Sequence, residues 1–223
     1  MTPVIWGVFV DRYLGQRKAV LFGAILLVLG HLGMAVEGEP VTNAADRDGT
    51  VMNIFYMSLA LIIAGVGFLK ANISAIVGEL YPKTDERRDG AFTLFYVGIN
   101  LGAFAGALVS GYLGETFGWK YGFGAAGIGM LAGLIVFVWG KPLLLGAGES
   151  PNPARLKKKI FAGLSLEWMI YLATLVGVVV IWLFIQDVNI VKWTLYITFP
   201  LVYLYIIGMS VMTLEPHARN RII

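Results

Sequence analysis

Six long apolar segments constrain the fold of this chain more than any other feature. Each approaches the roughly 20 mostly apolar residues that a helix needs to cross a bilayer. The segments are residues 19–36, 54–80, 91–113, 121–140, 167–186 and 193–214. Charged residues make up only 14% of the chain, whereas soluble domains contain about 25%. We therefore predict an all-α integral membrane protein.

The connections between these segments alternate in positive charge. One alternate set, together with the C-terminal tail, holds 13 of the 17 Lys and Arg residues, and the other set holds three. Because the positive-inside rule counts Lys and Arg near helix ends, the basic set is predicted to be cytoplasmic. The basic residues form no aromatic-interleaved patch, so the net charge of +3 indicates no nucleic-acid partner. The expected partner is the lipid bilayer.

Several other classes of site are not supported by the sequence. The chain has no cysteine and only two histidines, His31 and His217, so we predict no metal site. No side-chain pattern resembles a nucleophile with its base, and we predict that the protein is not an enzyme. The stretch "GFGAAG" at 122–127 matches a dinucleotide motif, but no strand precedes it.

Lys70 is the one cation outside the connections and tail. A lysine at a helix centre costs about 2.5–3.5 kcal/mol on insertion scales and usually serves a function. It lies ten residues before Leu80, which corresponds to about 15 Å along a helix. The alternative is a structural lysine that pairs with a buried carboxylate.

Asn100 is predicted to lie at the same depth as Lys70, on the following antiparallel helix. It is ten residues after Gly90, again about 15 Å, and Tyr96 lies one turn away on its face. The two polar groups at one level suggest a binding site; alternatively, Asn100 makes only an interhelical hydrogen bond. On the opposite face, the small-residue ladder Gly98, Gly102, Gly106 and Ser110 predicts tight helix packing.

Three stretches resemble a known family. "GVFVDRYLGQRKA" at 7–19 resembles the cytoplasmic loop motif of the major facilitator superfamily. "FTLFYVGINLGAF" at 92–104 looks like the signature of the proton-dependent oligopeptide transporters, the POT or PTR family. "GFLKANISAIVGELY" at 67–81 is similar to that family's fourth helix.

The resemblance implies roles for the polar residues of the helices. Lys70 would face a central cavity and exchange partners between a carboxylate of helix one and the carboxylate of a bound peptide. Asn100 would hydrogen-bond the peptide backbone, and Tyr96 would line the pocket. The proton would be the coupling ion, with no other cofactor.

The resemblance also implies a cytoplasmic gate. Asp11 and Arg17 would take part in closing it. We add Glu79, paired with Arg87 or Arg88, as a candidate partner set at the same gate.

On this alignment the chain is a partial major facilitator bundle and a fragment of a longer transporter. Residues 1–140 would run from the end of helix two to helix six, 141–166 would form a cytoplasmic basic linker, and 167–214 would form the extra helical hairpin of bacterial members. Residues 215–223 would lead to helix seven. The family's E-x-x-E-R motif and helix-seven acid are absent, so the missing remainder would be a partner.

These inferences predict part of a proton-coupled di- and tripeptide symporter of the bacterial inner membrane. One alternative is a facilitator of another small substrate, such as nitrate. The other is a truncated membrane fragment that does not transport.

Overall fold

A computed structural model describes residues 13–36, 48–161 and 163–213. The elements in chain order are α1 (Gln16–Met34), α2 (Gly49–Leu80), α3 (Arg87–Phe117), α4 (Trp119–Trp139), a 3₁₀ turn (Lys141–Leu144), α5 (Pro153–Lys157), β1 (Lys159–Phe161), β2 (Leu164–Ser165), α6 (Leu166–Ile185) and α7 (Val188–Thr213). Within these residues six helices, all but α5, are long and apolar enough to cross a membrane. The predicted number of spanning segments is confirmed.

Helix ends extend beyond the predicted apolar segments because polar residues begin some helices. Helix α2 begins at Gly49, five residues before the predicted segment 54–80. The Asp48 side chain accepts a hydrogen bond from the backbone N–H of Thr50 at 2.7 Å, which satisfies one unpaired donor of the first turn. Sequence hydropathy identifies the membrane-crossing part of such a helix but not its capped end.

The chain divides between Trp182 and Leu183 into two compact units. The first contains α1 to α5, the two short strands and most of α6. The second contains the end of α6 and α7, which has Pro200 in its interior. A proline there lacks the N–H that would bond to the preceding turn.

Helices α1 and α2 approach each other closely at two glycines. A Cβ atom at Gly65 would lie 2.8 Å from the backbone oxygen of Gly23, and a Cβ at Gly23 would lie 2.8 Å from the oxygen of Gly65. On α2, Ala60, Ala64 and Phe68 are buried at four-residue intervals, which is one face of a helix. Small residues let the two backbones pack closely, as in many membrane helix pairs.

Helix α4 packs between α1 and α3. A Cβ at Gly127 would lie 2.8 Å from the Leu32 side chain of α1, and one at Gly122 would lie 2.5 Å from the backbone oxygen of Ser110 on α3. The predicted packing ladder of α3 is different: no described atom of another element lies within 4 Å of a Cβ built at Gly98, Gly102 or Gly106. Within the described residues the ladder therefore packs only at its last member, Ser110, whose backbone oxygen lies against α4.

The segment between α4 and α6 is anchored on a small hydrophobic core. The buried members of this core are Leu14, Ala19, Phe68, Leu156 and Ile170. The Phe22 ring lies edge-on to Phe68 at 5.4 Å and beside Tyr171 at 4.6 Å between ring centroids. Helix α6 is therefore held against α1 at its N-terminal end.

Candidate functional site

Lys70 lies on the face of α2 opposite the packed face. Phe68 and Asn72 are buried, and two residues turn a helix by about 200°, so Lys70 points away from both. Its side chain is exposed, along with that of Val66 one turn earlier. Within the described ranges the ammonium group has no ion pair or hydrogen bond. An unpaired cation on an apolar helix is available to an anionic partner.

Asn100 and Tyr96 lie on an exposed face of α3. The Asn100 side-chain N–H donates to the backbone oxygen of Tyr96 at 2.8 Å, which leaves its carbonyl oxygen free to accept. The Tyr96 ring stacks on Phe92 at 6.5 Å between centroids. Polar groups and an aromatic surface therefore lie together along one stripe of the helix.

One contact between α2 and α3 relates the depths of Lys70 and Asn100. A Cβ at Gly78 would lie 3.5 Å from both Arg88 and Phe92. Lys70 is eight residues before Gly78, and Asn100 is eight residues after Phe92. Both therefore lie about 12 Å from this contact along their helices. This contact is in accord with a similar depth for the two polar groups, and their shared level stays a prediction.

The end of α2 and the start of α1 both contact the segment that connects α4 to α6. Sequence reasoning did not predict these contacts. Gly148 donates its backbone N–H to the carboxylate of Glu79 at 2.7 Å and accepts from the backbone N–H of Arg17 at 2.8 Å. The Arg17 guanidinium forms an ion pair with Glu149. The Ser150 hydroxyl donates to the backbone oxygen of Tyr13 at 2.7 Å. We call these contacts the Gly148 junction.

Only glycine fits position 148 without strain. Its φ is +74°, and a Cβ would lie 2.9 Å from Ile76 and 3.1 Å from the Arg17 backbone nitrogen. Residues with a Cβ rarely adopt this backbone region. The close approach allows Gly148 to form hydrogen bonds through both its backbone N–H and its backbone oxygen.

The other predicted gate residues occupy separate positions. Arg87 bonds to Asp85, with Nη2 donating at 2.8 Å, and Arg88 lies over the Phe92 ring at 5.8 Å. The ion pairs of the described residues include none between Glu79 and either arginine. That pairing therefore stays a prediction, and Asp11 lies outside the described residues.

The connection between α2 and α3 contains one acid with a clearly lowered pKa, Asp85. The hydrogen bonds from Arg87 lower the pKa of the Asp85 carboxyl from its usual 3.8 to about 2. The carboxylate is therefore charged at all physiological pH values, and the turn keeps a fixed negative charge beside the basic α3 terminus. Asp85 is thus suited to hold the turn and not to carry a proton.

A family model described as PTR2, POT family, matches residues 17–165, more than half of the chain. The chain belongs to the POT family. Its partial all-α membrane bundle is therefore that of the POT transporters, and the predicted family and fold class are confirmed. The matched range contains Lys70, Tyr96 and Asn100, together with all described members of the Gly148 junction except Tyr13.

Two relatives and one solved structure illustrate the similarity of this POT family chain. It is 38% identical over 215 residues to the uncharacterised transporter YclF of Bacillus subtilis, covering 94% of this chain and 40% of that protein. It is 45% identical over 131 residues to the peptide transporter YePEPT of Yersinia enterocolitica, and the match covers 59% of this chain and 24% of that protein. Each of these relatives is named a transporter.

A crystal structure of a peptide transporter named POT, in a mutant form bound to alafosfalin, is similar over 99% of this chain and 42% of that one. The TM-score is 0.69 and the sequence identity 32%. The chain thus spans less than half the length of the relatives it matches. The division at residues 140, 166 and 214 stays a prediction.

Sequence reasoning identified the polar residues of the POT family helices but missed the Gly148 junction. A signal was present in "GAGES" at 146–150, where two glycines precede the one acid of that connection. The sequence predicts only a linker for this stretch, because its local pattern does not indicate contacts with residues as distant as Glu79 or Arg17. Glu79 and Gly148 are 69 positions apart.

Proposed function

We propose that this chain is part of a proton-coupled di- and tripeptide symporter of a bacterial inner membrane. The observation that carries the proposal is the unpaired Lys70 ammonium, exposed on an apolar helix at the level of Asn100. Peptide transport is in accord with the POT family membership and with the name of the Yersinia relative. The proton coupling and the substrate length are our inference.

Lys70 supplies the means of coupling in this proposal. A peptide carboxylate and a carboxylate of the protein compete for the same ammonium group. Protonation of the protein acid weakens its attraction for Lys70 and leaves the lysine to the substrate. Asn100 offers an amide to the peptide backbone, and Tyr96 offers an aromatic wall. No covalent step is required.

We further propose that the Gly148 junction belongs to the cytoplasmic gate with Asp11, Arg17, Glu79, Arg87 and Arg88. The cation asymmetry of the connections supports the cytoplasmic side. Arg17 and Glu79 both bond to the connecting segment, so it links α1 to α2. Rocking of one helix bundle against another would then supply alternating access.

The proposal is tested by uptake of labelled dipeptide into liposomes that contain the full-length protein and carry an inward proton gradient. Lys70→Ala is expected to reduce uptake to the level of protein-free liposomes, because the substrate carboxylate loses its counter-charge. Lys83→Ala, which removes an exposed cation from the next connection, is the matched control and should transport normally. Unchanged uptake by Lys70→Ala would refute the coupling role.

Two further measurements separate the alternatives. Nitrate uptake in place of dipeptide uptake by the unmutated protein would favour a facilitator of another small substrate. The 223-residue chain alone is expected not to move peptides in liposomes, and transport by it would contradict this expectation.

A further inference from the structure

Three adjacent lysines precede α6, and all are exposed. They are Lys157, Lys158 and Lys159, at the end of α5 and the start of β1. In the part of the chain that the structure describes, none of their ammonium groups has an ion pair or hydrogen bond. Their charges are therefore available to an anion outside the protein.

The acids near these lysines are already paired. Glu149 and Glu167 are the two acids between residues 141 and 171. Glu149 pairs with Arg17. Glu167 accepts from Lys18 at 2.6 Å and from the Tyr171 hydroxyl at 3.1 Å. The cations at the start of α1 therefore use both carboxylates, and the lysine cluster keeps its full positive charge.

The lysines are held in a fixed position at the start of α6. Leu156, beside them, is only 2% exposed and belongs to the hydrophobic core. Strand β1 pairs with β2 in an antiparallel hairpin, and the backbone N–H of Leu166 donates to the oxygen of Lys158 at 3.3 Å. We call residues 157–161 and 163–165 the lysine hairpin. Since α6 is long and apolar enough to cross a membrane and begins at Leu166, the hairpin is expected at the level of the lipid headgroups.

Apolar side chains are exposed beside these charges. Ile160 is 56% exposed, Leu164 37% and Trp168 60%. Tryptophan at the end of a spanning helix favours the membrane interface. Cations next to exposed apolar and aromatic side chains are typical of surfaces that lie in the headgroup region of a membrane.

We propose that the lysine hairpin binds the headgroups of anionic phospholipids in the leaflet at this end of α6. The phosphate groups neutralise the three ammonium groups, and Ile160, Leu164 and Trp168 contact the acyl chains below them. Basic residues next to a spanning helix attract anionic lipid, and the attraction grows with each added Lys or Arg. This interaction is independent of the transport activity proposed above.

The absence of cysteine from these 223 residues allows a direct test with this chain in nanodiscs. Ile160→Cys is labelled with a fluorophore, and the discs contain either brominated phosphatidylglycerol or brominated phosphatidylcholine at the same mole fraction. Bromine quenches the fluorophore on contact. We expect the anionic lipid to quench about twice as strongly or more. Leu143→Cys, an exposed site on the 3₁₀ turn after α4, is the control label and should show a smaller preference.

Two triple variants identify the charges responsible. Replacing Lys157, Lys158 and Lys159 by Gln should remove the preference for the anionic lipid, whereas replacing them by Arg should retain it. Equal quenching by both lipids in the labelled chain that keeps its three lysines overturns the proposal, and so does a preference that persists in the Gln variant. If the Gln variant does not reconstitute, the comparison of the two lipids in the chain with its three lysines still decides.

A final arm separates lipid from free phosphate. The quenching preference for anionic lipid is measured in inorganic phosphate and in sodium chloride of equal ionic strength. We expect the same preference in both salts, because a lipid surface presents many headgroups with attached chains. A preference lost in phosphate but not in chloride would indicate a site for the free anion and would overturn the lipid assignment. The readout needs no transport, so it stands apart from the test of Lys70.

Discussion

Helices α2 and α3 are nearly equal in length, 32 and 31 residues, yet they pack very differently. Helix α2 buries a full face against α1, including Ala60, Ala64 and Phe68, whereas α3 buries only Gly114 among the described residues. Both are apolar enough to cross a membrane. Length and hydropathy therefore determine that a segment spans the bilayer but not which surface it contacts.

The same comparison separates structural from functional faces. Lys70 lies opposite the packed face of α2, and Asn100 lies on the exposed stripe of α3. Lys70 and Asn100 are thus free of the contacts that hold the described bundle together, unlike Asn72 and Glu79 of α2. This difference predicts that substitutions on the packed face will affect stability and that substitutions at Lys70 or Asn100 will affect transport.

The largest expected difference is between Gly65→Leu and Gly102→Leu. At Gly65 even a Cβ meets the backbone oxygen of Gly23 at 2.8 Å, whereas Gly102 has open space. We expect Gly65→Leu to cost about 3 kcal/mol or to prevent folding, since overpacking typically costs 1–3 kcal/mol. Gly102→Leu should leave stability nearly unchanged. Thermal unfolding in detergent measures both, and equal losses would contradict the contrast between α2 and α3.

A second test concerns the junction at the end of α2. Gly148→Ala and Gly146→Ala both place a Cβ at positive φ, but only position 148 has neighbours within 4 Å. The backbone conformation costs each variant about 1–2 kcal/mol. Gly148→Ala must also displace Ile76, so its loss should be larger in chemical denaturation. A loss no larger than that of Gly146→Ala would mean that the junction is loosely held.

The two asparagines provide a matched pair of smaller effect. Each donates to the backbone oxygen four residues earlier, Asn72 at 2.6 Å and Asn100 at 2.8 Å. Asn72 is 2% exposed, so Asn72→Ala should destabilise the chain by about 1 kcal/mol. Asn100→Ala should be nearly neutral in stability. In the full-length protein it should instead raise the KM for dipeptide, and a normal KM would remove Asn100 from the proposed site.

The smallest expected effect is in the turn between α2 and α3. Because the folded pKa of Asp85 is lowered to about 2, its contribution to stability is complete above about pH 4 and is lost as the pH falls through about 2. A carbon-13 NMR titration of Asp85 measures this directly. Arg87→Ala should return the pKa to near its usual 3.8. A titration unaffected by that change would show that Arg87 does not hold the turn.

The sequence predicted the six spanning helices because the bilayer requires a simple apolar length. It also predicted the polar level shared by Lys70 and Asn100, since a short connection fixes the registration of two antiparallel helices. The small-residue ladder of α3 packs only at Ser110 among the described residues, because small residues permit contact but do not select a partner. The two strands of the lysine hairpin were missed because they are only three and two residues long, too short for a period to be visible.

The Gly148 junction also has a consequence for how the chain is made. Its hydrogen bond to Glu79 joins residues 69 positions apart, and the Ser150 contact with Tyr13 joins residues 137 apart. At about 5–20 residues per second, Glu79 is synthesised roughly 3–14 s before its partner. Cysteine accessibility at position 76, whose side chain lies against Gly148, is therefore expected to fall in stalled nascent chains only after residue 148 has left the ribosome. Membrane insertion of α1 and α2 therefore precedes the contact that joins their ends. The two helices lie in the bilayer before the segment around Gly148 is made and completes this part of the bundle.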